Sequence, residues 1–168
     1  MRYMVDATSP SHPEGPCYAS ATVPSRVESI RLATAFIVQA ARNMHVPPAS
    51  DALFESAIVE ALNNAVKHGN AAQRPGATIV CELELVDHRL TVRILDQGPG
   101  FVLPQTRRRA FENPLGRDVV VPRPEWSADN LTTIPESGFG ISIIQGVFPM
   151  VRTIARPGEF GLEMALTF

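Results

Sequence analysis

Apolar residues recur along the chain with two different periods, and the switches between them divide it into elements. Cys17 to Val23 alternates weakly and ends at Pro24, which predicts a short strand near a sheet edge, where a proline is tolerated. Val27, Ile30, Leu32, Ala33, Phe36, Ile37 and Ala40 then follow helical spacing through about Asn43, behind a capping box of Ser25 and Glu28. Val46-Pro47-Pro48 breaks that helix, and Ser50 or Asp51 is expected to cap the next. From Asp51 to His68, the residues Phe54, Ile58, Ala61, Leu62, Ala65 and Val66 step by three and four, predicting a helix with a broad core-facing stripe.

Gly69 and Asn70 end this central helix, and Arg74-Pro75-Gly76 is a turn. Thr78 to Val86 and Leu90 to Leu95 are rich in Val, Ile and Leu, and the short link Asp87-His88-Arg89 makes them an antiparallel hairpin. An apolar helix follows Gly138-Phe139-Gly140 and stops at Phe148-Pro149. Met150 to Arg156 and Phe160 to Phe168 read as two last strands around a Pro157-Gly158 turn.

Two stretches carry no period. Residues 1–16 hold Pro10, Pro13, Gly15 and Pro16 with few apolar residues, and are expected to be a flexible tail ahead of a single domain, 17–168. His12-Pro13-Glu14 lies in that tail, among prolines, where a phosphoacceptor histidine on a long helix is not expected. Between Val102 and Ser137, Pro104, Pro114, Pro122, Pro124 and Pro135 preclude any long helix, and so long a connection is usually functional or mobile. Within it, Arg107-Arg108-Arg109 reads as a solvated basic face and Trp126 as an anchor or partner contact.

Composition narrows the class. With 168 residues, 45% hydrophobic and 19% charged, the chain suits one globular domain. A formal net charge of -2 gives no general attraction to nucleic acid or to an anionic membrane. Neither a membrane-spanning run nor a signal peptide is evident, so a cytoplasmic protein is expected. Cys17 and Cys81 are far apart in sequence and read as free thiols.

Polar residues interrupt the apolar pattern at three places. In the central helix, Glu60, Asn64 and His68 share one face with Lys67 beside them, so a carboxylate and a carboxamide one turn apart point into the same space. Such a strip can hold a hydrated divalent metal and a phosphate chain; by itself it is equally a solvated helix face. At the end of the second hairpin strand, Asp96-Gln97-Gly98-Pro99-Gly100-Phe101 combines a carboxylate with glycines that let backbone approach a ligand. An ordinary turn would look similar. In Glu136-Ser137-Gly138-Phe139-Gly140-Ile141, two glycines open a helix whose unpaired amides favour an anion.

The order of these three stretches resembles the Bergerat-fold (GHKL) ATPase superfamily, which includes histidine kinases, type II topoisomerases, Hsp90 chaperones and anti-sigma-factor serine kinases. The resemblance runs from about Ala19 to the C-terminus. It implies an α+β fold, a two-layer α/β sandwich with a mixed, mostly antiparallel sheet covered on one face by helices, and residues 102–137 as an ATP lid. It implies ATP and Mg2+ as cofactors. Asp96 then matches the carboxylate that receives the adenine amino group, with Gly98 and Gly100 as hinge glycines. Asn64 matches the metal-ligating amide, Lys67 a phosphate contact, and Gly138, Phe139 and Gly140 the loop at the phosphate end.

Glu60 narrows the reaction. Histidine kinases tend to carry an amide there, whereas a hydroxyl acceptor needs a base within hydrogen-bond reach. A chain of this length is not expected to include the transducer domains of topoisomerases and chaperones. It therefore looks like the small RsbW-like anti-sigma-factor serine/threonine protein kinases. That similarity implies phosphorylation of a STAS-domain anti-anti-sigma protein, a sigma factor as a second partner, a homodimer, and Arg31 as a partner-contacting residue. Two alternatives stay open: an ATP-binding module that sequesters its partner without phosphotransfer, and a detached histidine-kinase catalytic domain.

Overall fold

The computed structural model describes residues 15–69, 75–100 and 139–168, together with the backbone of 3–4. Strand β1 (Tyr3–Met4) falls within the stretch expected to be a tail and pairs antiparallel with β2 (Cys17–Pro24). The remaining elements are α1 (Val27–Asn43), a short 3-10 turn (Pro47–Ser50), α2 (Ala52–Asn64), a π-helical segment (Ala65–Gly69), β3 (Thr78–Val86), β4 (Arg89–Asp96), α3 (Phe139–Val147), β5 (Met150–Arg156) and β6 (Glu159–Thr167). The stretch 102–137 that the resemblance implies to be a lid, with Arg107, Arg108, Arg109 and Trp126, lies outside the described residues, as do His12 and Gly138.

The strands form one sheet in the order β1-β2-β3-β4-β6-β5. Every pairing among the described residues is antiparallel, a more uniform sheet than the mixed, mostly antiparallel one expected. Asp87 and His88 both have positive φ, 47° and 59°, which a tight two-residue hairpin turn needs to follow the twist of its strands. Gly158, with φ of 78°, plays the same part between β5 and β6.

Alternation assigns the two faces. Ile79, Cys81, Leu83 and Leu85 of β3, Leu90, Val92 and Ile94 of β4, and Leu162, Met164 and Leu166 of β6 belong to a single core with the helices. Ile37 and Ala41 of α1, Phe54, Ile58 and Leu62 of α2, and Ile144 of α3 supply its other half. Phe54 meets Phe148, just past α3, with ring centroids 5.5 Å apart. The result is the expected two-layer α+β sandwich with helices on one face.

The helix starts differ from expectation in detail. Arg26, not Ser25, occupies the N-cap of α1, and no side chain caps it. The buried Ser25 hydroxyl has no partner among the described residues, while the Ser25 N–H donates to the Ala77 carbonyl at 2.8 Å. Asp51 is the N-cap of α2 by position, again without a side-chain bond. Both cysteines are free. Burial pushes the Cys81 thiol up to about 12, so it packs as a small apolar group.

Candidate functional site

Helix α2 carries the site because one side of it is committed to the core. Phe54, Ala57, Ile58, Ala61 and Leu62 are buried, which leaves Glu60 and Asn64, one turn apart, at the margin of the helix layer. Beyond Asn64 the helix widens into the π-helical segment, a feature frequent at functional sites. That segment ends in Gly69, which is buried and contacts the Asp96 carboxylate. From Glu60 to Gly69 the run spans roughly 13 Å at 1.5 Å per residue, so one rod joins the two ends of the site.

At one end stands Asp96, the last residue of β4, only 2% exposed. The Gly98 N–H donates to its Oδ1 at 2.7 Å. Burial raises the Asp96 carboxyl above the ordinary aspartate range, and the Gly98 bond offsets only part of that. Three glycines allow the backbone to close in. A β-carbon on Gly69 would overlap the Asp96 carboxylate, one on Gly98 would overlap the Gly69 carbonyl, and one on Gly100 would sit 2.6 Å from the Phe160 ring. Gly100 also has φ of 80°, a left-handed conformation that disfavours any side chain.

At the other end, the start of α3 meets α2. A β-carbon on Gly140 would lie 2.6 Å from Glu60 Oε2, so this carboxylate rests against the first turn of α3. Between the two ends, Asn64 Nδ2 is buried with no partner among the described residues. An unpaired buried amide costs about 1–3 kcal/mol, and the two ends of a carboxamide exchange by a half-turn. Among the described residues the Asn64 amide nitrogen therefore keeps a donor to spare.

Of the residues singled out from the sequence, the structure joins Glu60 to Gly140 directly, Asp96 to Gly98, and both pairs through α2 and its π extension. Lys67 is exposed within the π segment, and Arg31 is exposed on α1. Phe139 is described only as the first residue of α3. Gly69 and Phe160 were not anticipated as site residues. Gly69 reads in sequence as a helix stop, and only the fold reveals that the stop abuts the carboxylate. Phe160 faces Asp96 across the β4–β6 ladder and packs on Gly100, a cross-strand relation that local pattern does not encode.

A family model for the histidine kinase-like ATPase domain matches residues 23–166, which covers nearly all of these elements. The chain belongs to the histidine kinase-like ATPase domain family. Membership of this family implies that the domain binds ATP. Among solved structures it is similar to the RsbU and RsbW domains of Rv1364c from Mycobacterium tuberculosis, with a TM-score of 0.55 and 15% identity. The match covers 92% of this chain and 33% of that one, so the chain spans about a third of that structure's length. At this identity the likeness speaks for the fold. The comparison with curated proteins finds no match.

No helix among the described residues is long and apolar enough to cross a membrane. Nor do the described residues contain a group of three His, Cys, Asp or Glu side chains fit to hold a metal.

Proposed function

We propose that this histidine kinase-like ATPase domain is a magnesium-ATP-dependent serine/threonine protein kinase that phosphorylates a STAS-domain protein and regulates a sigma factor by exchanging partners. The observation that carries the reading is the Glu60 carboxylate against the start of α3. The first amides of a helix attract anions, so the phosphate end of a nucleotide is expected there. A carboxylate beside that position can accept the proton of an attacking hydroxyl as the new P–O bond forms and the bond to the ADP oxygen breaks. An imidazole acceptor needs no such help.

Asn64 would hold the magnesium ion through its amide oxygen, one turn beyond Glu60 on α2. Magnesium needs few protein ligands when it keeps waters and takes phosphate oxygens. When bound, it would neutralise phosphate charge. Asp96, with Gly69 and Gly98 against it, would receive the adenine amino group. Gly138 and Phe139 complete the proposed phosphate loop, Lys67 a phosphate contact and Arg31 a partner contact. The active form is proposed to be a homodimer.

Glu60→Gln tests the reading. The variant is expected to bind Mg-ADP as the wild type does, yet to transfer phosphate from labelled ATP to a STAS-domain protein encoded beside it ~10²- to 10⁴-fold more slowly. Undiminished transfer would reject Glu60 as the base. Labelled product stable to acid would identify a phosphorylated hydroxyl. Acid-labile product would point to histidine instead.

A further inference from the structure

Gly140 poses a question that backbone geometry does not answer. It lies inside α3, where alanine is the better helix former, and it is not among the glycines with positive φ. A glycine with no conformational need is explained by what a side chain would displace. Here that is the Glu60 carboxylate: a β-carbon on Gly140 would stand 2.6 Å from Oε2, 3.5 Å from Cδ and 3.8 Å from the Glu60 β-carbon. Only the terminal oxygen is too close. The crowding therefore falls on the far end of a flexible side chain, which can swing aside without disturbing the packing of α2 on α3.

We infer that Gly140 is a positioning residue whose missing side chain forms the seat of the Glu60 carboxylate. This rests on the proposal that Glu60 is the general base. The two ends of the contact respond differently to a substitution. The fold loses little, because one carboxylate rotates, but a base displaced by about 1 Å can cost ~10²-fold in rate. A glycine present only to admit phosphate would behave otherwise, since its replacement would weaken nucleotide binding first.

Gly140→Ala in the full chain separates these cases, read by Mg-ATP turnover with water as acceptor, calorimetry with a non-hydrolysable Mg-ATP analogue and thermal unfolding. The inference expects kcat to fall by about 10- to 100-fold, affinity for the analogue to stay within about threefold, and the unfolding midpoint not to drop. An unchanged kcat, or a loss of analogue affinity as large as the loss of kcat, would overturn it. A second variant probes the contact itself. Glu60→Asp withdraws the carboxylate by one methylene, so adding Gly140→Ala to it should cost far less than adding it to the wild type, whereas equal costs would break the coupling. Glu60→Gln keeps the failures apart. If it turns over ATP normally, the base assignment falls; if it is slow while Gly140→Ala is not, only the seat falls.

Discussion

Asp96 is a carboxylate held in place by residues that have no side chains. Its Oδ1 accepts from the Gly98 N–H, its other flank rests on Gly69, and it is 2% exposed. Burial already disfavours its charged form, so its ability to receive a donor from a ligand depends on keeping this narrow slot. Gly69→Ala would push a methyl group into the carboxylate. We expect the variant to remain folded by circular dichroism and to lose about 10-fold or more in Mg-ADP affinity, the scale of one hydrogen bond to a charged group. Wild-type affinity would show that Gly69 is a helix stop and nothing more. Asp96, Gly98 and Gly100 were legible as candidates because a carboxylate at a strand end followed by glycines is a local pattern. Gly69 was not, since its importance comes from the element packed against it.

At the scale of elements, the strands were the most readable part. Thr78–Val86 and Met150–Arg156 have the ends that alternation and turn residues predict. The π segment was not readable, because Ala65 and Val66 continue the helical period and nothing local announces a wider turn. A second feature hidden from local pattern lies on the sheet face away from the helices. Glu82, Arg93, Glu163 and Arg152 stand opposite one another across β3, β4, β6 and β5, alternating in sign. Arg93 reaches Glu163 at 2.7 Å and Glu84 at 2.9 Å, and Arg156 holds both oxygens of Glu82 at 2.7 Å.

The two most buried of these carboxylates titrate low for related reasons. The Arg156 hydrogen bonds hold Glu82 below the usual range against its burial. Burial raises Glu163, but Arg93 and Arg152 together outweigh it. Since their folded values lie below the unfolded ones, the stabilisation is complete above the ordinary glutamate value and is lost as pH falls through the lowered folded values. Arg93→Ala should therefore destabilise the domain at neutral pH by about 2–3 kcal/mol, less than a fully buried pair because Arg93 is 20% exposed. Urea unfolding should show the gap closing on acidification. A gap independent of pH would mean the row of charges contributes only its packing.

For the whole molecule, α2 and its π extension link the Glu60–Gly140 contact to the Gly69–Asp96 contact, and the sheet supplies a fixed wall on which Asp96 stands. The division of labour follows from the two layers: the core face of the sheet is apolar and holds the helices, while its margins carry the residues with spare chemistry. That these three distant segments form one pocket is what their order and type taken together lead one to expect, since each is an ordinary motif alone. Their convergence is most directly tested by calorimetric titration of Mg-ADP into the wild-type chain and into Asp96→Ala. One site per chain is expected, with affinity reduced about 10-fold or more in the variant. A wild-type chain that takes up no nucleotide, or a variant that binds it equally well, would contradict the shared pocket.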